Sequence, residues 1–293
     1  MISRFNRWLL IAIIVIGVPF WWLLMDNAHS SAPPKPVHIA YLRALAAIIP
    51  GNRPIAVIAT RAGSRWVVGE TLAAGIGLQR RRLAMITWAL PVPGKGPIVI
   101  DPGPDPDEAG VDSYENIDGA KVRRIAAETR IASLILHTHG PLTLQEPAKS
   151  AALARTQPPS FATAQAASFA TAQAIAPGVV IIPTPGHAPD TRLIYVQLAN
   201  GREFLFAGNI ATLSENWTAL RLRSHLAAFW GPLQNDDETY AWLRTLHQLG
   251  AEAPRMAIVP GHDDLWLTQH VAIGIIAEWK ERPAPRAQRG KPR

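Results

Sequence analysis

The sequence predicts an α/β domain of stacked strands and helices behind one N-terminal membrane helix. Apolar residues make up 48% of the 293 residues, which is enough to build a large buried core. Short apolar runs alternate with amphipathic segments along most of the chain, and that alternation is typical of layered α/β domains. The first 25 residues differ from the rest, because they contain a long stretch without a charge.

That uncharged stretch covers residues 8–25 and ends at Asp26. Its length is sufficient for a helix to cross a bilayer. Arg4 and Arg7 precede it, and basic flanks stay on the cytoplasmic side. We therefore expect residues 1–29 to anchor the chain in the inner membrane, with the domain on the periplasmic or extracytoplasmic side. The alternative is a cleaved signal peptide and release into the periplasm, although residues 28–30 form a poor cleavage site.

Beyond the anchor, a Pro-rich linker is expected at residues 30–36 and one domain at residues 37–281. Apolar residues at helical spacing predict helices at residues 37–49, 114–130, 146–155, 236–249 and 265–279. Apolar and β-branched runs bounded by Pro and Gly predict strands at residues 55–60, 65–68, 83–92, 97–100, 131–136, 178–182, 193–198, 203–206 and 257–259. Asn200 and Gly201 predict a hairpin between two of these strands. A nearly verbatim duplication at residues 160–175 is interpreted as an insertion in a surface helix.

Composition excludes several classes of site and partner. The chain has no cysteine, so it has no disulfide, thiolate zinc site or cysteine nucleophile. Its net charge is +7, but residues 280–293 carry six basic residues against one acid. The excess is concentrated in a Pro-rich end, which predicts a disordered basic tail at residues 282–293 rather than a nucleic-acid surface. Contact of this tail with anionic lipid or another polyanion is the alternative.

Four of the nine histidines each follow the C-terminal end of an apolar strand: His137, His139, His187 and His262. Loops at strand C-termini are where α/β domains place their sites. Three imidazoles and a water form a hydrolytic zinc site, and a His-x-His pair can place both rings on one side of a strand exit. Spacing alone leaves two interpretations open, a zinc site or histidines that only pack and form hydrogen bonds.

Five short motifs, in order over about residues 55–270, resemble the metallo-β-lactamase-fold hydrolase superfamily, and its lactonase-like branch in particular. Residues 98–103 are similar to the family's early strand ending in Asp-x-Gly, and residues 136–139 to the first half of its His-x-His-x-Asp-His motif. The other three motifs are the Thr-Pro-Gly-His loop at residues 184–187, the strand at 204–209 and the last ligand loop at 259–262. The resemblance implies an αββα sandwich and a first zinc site formed by His137, His139 and His187.

The departures from the family pattern concern the second zinc site. The Asp-His half of the long motif falls on Pro141 and Leu142, and the bridging carboxylate position holds Asn209. Of the second-site ligands only His262 remains. Proline and leucine side chains have no donor atom, and an amide is a weaker ligand than a carboxylate. The resemblance therefore implies zinc as the cofactor, with at most one ion per chain.

A single zinc ion on three histidines still lowers the pKa of its water to about 7. The predicted function is thus a mononuclear zinc hydrolase of small esters or lactones, with reduced activity. Such an enzyme needs a new proton acceptor, and Asp263 and Asp190 are the nearest candidates, although loop capping is the ordinary role of such acids. Whether the site is catalytic stays open, because a pseudoenzyme of the same fold that binds a ligand or partner is the alternative. An envelope scaffold with a vestigial pocket is a third interpretation.

Overall fold

The computed structural model describes residues 3–26, 31–103, 116–138, 171–188, 191–229 and 234–279. The helices in these ranges are α1 (Arg4–Met25), α2 (Ile39–Ile48), α3 (Gly119–Arg130), α4 (Ser214–Thr218), α5 (His225–Ala228), α6 (Asp236–Glu252) and α7 (Asp264–Ala272). The predicted helix at residues 146–155, the first copy of the duplication and the basic tail lie outside the described residues.

The strands form two five-stranded sheets. In chain order they are β1 (Ile58–Val68), β2 (Arg80–Leu90), β3 (Ile98–Ile100), β4 (Leu134–Leu136), β5 (Gln173–Ala176), β6 (Val179–Pro183), β7 (Arg192–Gln197), β8 (Glu203–Gly208), β9 (Ala257–Pro260) and β10 (Ala277–Glu278). The first sheet has the order β10-β1-β2-β3-β4 and the second β5-β6-β7-β8-β9. The pairs β3–β4 and β8–β9 are parallel, so the ends of both strands in each pair lie at the same edge of their sheet.

The two sheets pack face to face between helices. Apolar side chains from both sheets, such as Trp88 and Phe206, share one buried cluster. A second cluster joins the outer face of the second sheet to α2 and α6, and a third joins the first sheet to Val122 and Ile125 of α3. The layers therefore follow the order α, β, β, α, which confirms the predicted sandwich.

Helix α6 shows how local sequence signals fix an element that covers the second sheet. Asn235 caps its N-terminus by accepting a hydrogen bond from the main-chain N–H of Glu238, and three acids in the first turn favour the positive end of the helix dipole. Its buried stripe includes Tyr240, Leu243 and Leu246. These are residues that the helical spacing predicted.

Three predictions of elements were wrong. The two strands predicted at residues 55–60 and 65–68 are one strand, β1. The helix predicted at residues 265–279 ends at Ala272, because Gly274 has a φ of 71° and turns the chain into β10. The end of the duplicated segment, predicted as surface helix, forms strand β5 instead. Pairing with β6 and packing of Ile175 and Ala176 against the buried core outweigh the helix propensity of its alanines.

Helix α1 has 22 residues and a mean hydropathy of 2.4 in its most apolar window, none of which is buried. It is the one helix in the described ranges that is long and apolar enough to span a membrane. Its C-terminal end contacts the domain at two places. The carbonyl of Leu24 accepts a hydrogen bond from the N–H of Gly75 at 3.1 Å. His225 of α5 stacks on Trp22, with ring centroids 5.0 Å apart, and its Nε2 lies 3.2 Å from Asp26 Oδ2.

Glu252 joins the start of α2 to the end of α6 and predicts an acid-sensitive contribution to stability. Its carboxylate accepts hydrogen bonds from the N–H of Ile39 and from Gln248, and lies 2.8 Å from His38 Nδ1. The hydrogen bond from Ile39, followed by those from Gln248 and His38, lowers the pKa of Glu252 to about 2. Because the folded pKa lies below the unfolded one, this contribution is complete above about pH 5 and is lost as pH falls toward 2. In urea titrations we expect the stability difference between the natural chain and Glu252→Gln to shrink over that range; a constant difference would contradict this role.

Candidate metal site at the strand ends

Two glycines bring the ends of three strands together. Gly208 ends β8 with a φ of 53°, and a Cβ atom there would lie 2.5 Å from Thr138 Oγ1, just after β4. A Cβ atom on Gly261, just after β9, would lie 2.5 Å from the carbonyl oxygen of Gly208. Only residues without a side chain permit this approach. Each of the three contacting residues is adjacent in sequence to a predicted site residue, so the approach brings three of those site residues together: His137, Asn209 and His262.

Asp101 fixes the main chain between two predicted ligands. It follows β3 with a φ of 50°, and its carboxylate accepts hydrogen bonds from the N–H and the Oγ1 of Thr138 at 2.8 and 2.6 Å. Its own carbonyl accepts a hydrogen bond from Thr87 Oγ1 at 2.7 Å. The Asp-x-Gly motif therefore positions the main chain beside His137. His139, the next predicted ligand, lies outside the described residues.

The hydrogen bonds around His187 indicate which nitrogen of its ring carries the proton. Gln234 donates from Nε2 to Asp236 Oδ1 at 2.6 Å, and since a carboxylate only accepts, this contact fixes the orientation of the amide. The oxygen of Gln234 therefore faces His187 Nδ1, 3.1 Å away, so that Nδ1 carries the proton. In a neutral ring the lone pair then lies on Nε2, as in metal-binding histidines whose other nitrogen donates to an outer partner.

His262 is arranged differently, and its contacts do not fit a second metal. Its Nδ1 lies 3.0 Å from the carbonyl oxygen of Ala84 and donates to it, while its Nε2 lies 3.1 Å from the amide of Asn209. The atom of Asn209 that faces Nε2 is Oδ1; because Nε2 of a neutral ring only accepts, the two form a hydrogen bond when the amide is turned to present its NH2 group instead. The amide thus satisfies the nitrogen that would bind a metal. Pro141 and Leu142, at the other second-site positions, lie outside the described residues and have no donor atoms.

The carboxylate of Asp263 caps helix α7. Oδ1 accepts a hydrogen bond from the N–H of Trp266, and Oδ2 accepts from the N–H and the Oγ of Ser214. The residue is 6% exposed, so the structure gives this predicted proton acceptor a capping role. Asp190, the other candidate, lies outside the described residues.

The donor atoms of the predicted first zinc site, which are the imidazole nitrogens of His137, His139 and His187, are of a type that fits zinc. Imidazole nitrogen is a preferred zinc ligand, and His187 already has the outer partner that such ligands require. Across the described ranges, which exclude His139, no group of three His, Asp or Glu side chains is arranged to hold a metal. Sequence reasoning missed the partner Gln234, because it lies 47 positions from His187 and belongs to no motif.

A cleft of about 630 Å³ lies away from this site. Its lining includes Arg43, Arg202, Glu203 and Arg255, at the start of β8, whereas the candidate site lies at the end of that strand. Arg43 donates to both carboxylate oxygens of Glu203 at 2.7 Å and, above all other contacts, lowers the pKa of that carboxyl. This ion pair therefore fastens α2 to the second sheet.

The close contact at Gly208 predicts a large effect of a single methyl group. We expect Gly208→Ala to destabilise the chain by about 1–3 kcal/mol more than Gly201→Ala, because only the first methyl group meets Thr138. Gly201 is a matched control, since its φ is 81° and nothing lies within 4 Å of an added Cβ. Chemical unfolding of both variants measures the difference. Equal losses would show that the strand ends do not depend on this contact.

Comparison with known proteins places the fold. No protein-family model and no curated protein matches the chain. One similar solved structure is a quorum-quenching N-acyl homoserine lactone hydrolase, with a TM-score of 0.53 and 14% identity over 72% of this chain and 93% of that one. A second is an N-acyl homoserine lactone hydrolase with N-hexanoyl-L-homoserine bound at its catalytic metal centre, with a TM-score of 0.51 and 15% identity over 74% of this chain and 96% of that one. A third is a probable metal-dependent hydrolase from Staphylococcus aureus, with a TM-score of 0.51 and 11% identity over 73% of this chain and 91% of that one. Together with the αββα layers, these similarities show that the chain has the metallo-β-lactamase fold.

Proposed function

We propose that this chain is a membrane-anchored hydrolase that uses one zinc ion to cleave small esters or lactones slowly. His137, His139 and His187 would hold the ion. When bound there, zinc would supply a water molecule whose pKa is lowered to about 7. The observation that carries the proposal is the chain of hydrogen bonds from His187 through Gln234 to Asp236, because it orients a neutral imidazole for a metal.

The fold supports this class of substrate. One solved structure of similar fold holds N-hexanoyl-L-homoserine, the product of a lactone hydrolase, at its catalytic metal centre. A lactone is a cyclic ester, so attack of water on its carbonyl carbon opens the ring and leaves an acid and an alcohol. The chemistry required here is therefore activation of one water and stabilisation of the charge that develops on the carbonyl oxygen.

The proposed slow rate rests on two side chains near the strand ends within the described residues, which exclude Asp190. Asp263 uses its carboxylate for capping, and Asn209 faces His262. Neither offers the carboxylate that would accept the proton of the attacking water. The loss of a general base reduces rates by about 10²–10⁴.

A pseudoenzyme of the same fold is the second candidate, and the contact between His262 and Asn209 favours it. The amide of Asn209 faces the nitrogen of His262 that a second metal would bind, and the nearby Asp263 is committed to structure. Such a protein would retain the metal and a small ligand or partner without turning the ligand over.

We further propose how the parts of the chain are placed relative to the inner membrane. Residues 1–29 form the inner-membrane anchor, residues 30–36 the linker, residues 37–281 the domain on the extracytoplasmic side and residues 282–293 the tail. The contacts of Trp22, Leu24 and Asp26 with the domain support an uncleaved anchor over a signal peptide, since cleavage would remove all three.

The test uses the full chain in lipid nanodiscs, loaded with zinc and offered aryl esters and N-acyl homoserine lactones. We expect slow, zinc-dependent turnover that His187→Ala abolishes. His247→Ala is the matched control, because this exposed histidine of α6 lies 3.2 Å from the main-chain oxygen of Trp217 and has no part in the proposed site, so its loss should leave turnover unchanged. Zinc and ligand binding without turnover would overturn the hydrolase and establish the pseudoenzyme.

A further inference from the structure

We propose that the end of the first sheet nearest the anchor docks on the anionic headgroup surface of the membrane. The docking surface consists of exposed side chains from the β1–β2 hairpin and from the residue after α5: Trp66, Val68, Leu78, Arg80, Arg82 and Phe229. This inference rests on the proposed anchoring by α1 but is independent of zinc and of hydrolysis.

The docking surface exposes large apolar side chains beside arginines. Phe229 is 66% exposed, Leu78 59% and Trp66 47%. Within the hairpin, Trp66 pairs with Arg82 and Val68 pairs with Arg80, so each arginine shares a face of the sheet with an apolar partner. Arg82 also approaches the carboxylate of Asp264 at 3.6 Å. Aromatic rings at headgroup level with nearby cationic groups are the combination that anionic bilayers bind.

The anchor leaves the membrane at this same place. The uncharged run of α1 ends at Asp26, which marks the boundary with water. Gly75, whose N–H donates to Leu24, lies in the loop between β1 and β2. His225, which contacts Trp22 and Asp26, lies in α5, four positions before Phe229. Both parts of the docking surface are thus attached directly to the exit point of the helix.

The loop at the end of the hairpin has a fixed shape. Glu70 is 2% exposed, and its carboxylate accepts hydrogen bonds from the N–H groups of Gly75 and Gly77 at 2.7 and 2.5 Å. Arg221 donates to the carbonyl of Ala74 in the same loop. Because the loop is held from within and also contacts the anchor, the hairpin has a defined height above the bilayer. The membrane therefore covers the docking surface and orients the domain.

Single-cysteine labelling tests this orientation, since the chain has no cysteine of its own. The probe positions are Leu78→Cys and Phe229→Cys. The controls are Ile131→Cys and Ile273→Cys, whose native side chains are each 67% exposed. Ile131 precedes β4, and Ile273 precedes β10. β10 pairs with β1 at Ile58, and β4 pairs with β3, which pairs with β2 at Leu90. Both controls therefore belong to the end of the β1–β2 hairpin that is opposite its turn.

Each variant of the full chain would carry a nitroxide and be reconstituted in phosphatidylcholine bilayers with and without phosphatidylglycerol. Collision of the nitroxide with oxygen and with a water-soluble nickel complex would then be measured. We expect labels 78 and 229 to be shielded from nickel several-fold more than the controls in the anionic bilayers. Arg80→Glu and removal of the anionic lipid should each reduce that shielding.

Three outcomes would overturn the inference. If all four labels collide equally with nickel while the chain still floats with vesicles, the anchor is correct and the docking is wrong. Shielding with spin–spin broadening that disappears on dilution with unlabelled chain would identify a second copy as the cover. Failure to float with vesicles would remove both the anchor and the docking surface, without bearing on zinc-dependent turnover.

Discussion

Replacing His187 by alanine is expected to reduce the zinc content of the purified chain from about one ion to nearly none. In the proposed site this imidazole supplies one of three ligands, and loss of a ligand should weaken binding by more than the 10–100-fold that outer partners contribute. Elemental mass spectrometry of the full chain, prepared without chelators, measures the ratio directly. A content of two ions would show that the second site is intact. A folded chain without any zinc would remove metal-assisted hydrolysis.

Gln234→Ala provides a graded companion to this experiment. It leaves all three proposed ligands in place but removes the acceptor of the Nδ1–H group of His187. Zinc affinity should therefore fall by about 10–100-fold, while the ion still binds at saturating concentration. His247→Ala should change neither quantity. An unchanged affinity in Gln234→Ala would show that the hydrogen bond serves only the loop, and that His187 was not oriented for a metal.

The elements with strong local signals are the ones that the sequence predicted well. Asn200 and Gly201 form the hairpin turn between β7 and β8, and Gly201 adopts the positive φ of 81° that such a turn requires. The buried run at residues 178–182 became β6. Strand β5 depended instead on pairing with the adjacent β6 and on packing in the core, and the end of α7 depended on a distant neighbour. Ala277 pairs with Ile58, more than 200 positions earlier, and no local pattern in the sequence expresses that contact.

The candidate site likewise has one part that the sequence predicted and another that depends on contacts between distant residues. The placement of His137, His187 and His262 after strands follows from apolar runs that end in a histidine, which the sequence displays. The arrangement around them follows from tertiary approach. The contact of Gly208 with Thr138 and the contact of Asn209 with His262 each join separate strands. The residue types alone could therefore predict a weakened second site, but they could not predict the contact between Asn209 and His262.

Restoring that second site is the most demanding test of the proposed alignment. The triple variant Pro141→Asp, Leu142→His and Asn209→Asp replaces two side chains that lack donor atoms and returns a carboxylate to the position beside His262. We expect zinc content to rise from about one to about two ions per chain. Lactone turnover should rise by about 10²–10⁴, since a bridging carboxylate and a second metal stabilise charge and accept the proton.

Asn209→Asp alone is the control for the triple variant. It places a carboxylate, which only accepts hydrogen bonds, against His262 Nε2. Pro141 and Leu142 still lack donor atoms in this variant, so the added carboxylate and His262 supply too few ligands for a second ion. The single variant should thus gain no metal ion. If the triple variant also binds one ion only, residues 141 and 142 do not lie where the motif places them, and the second site was lost by backbone change rather than by substitution.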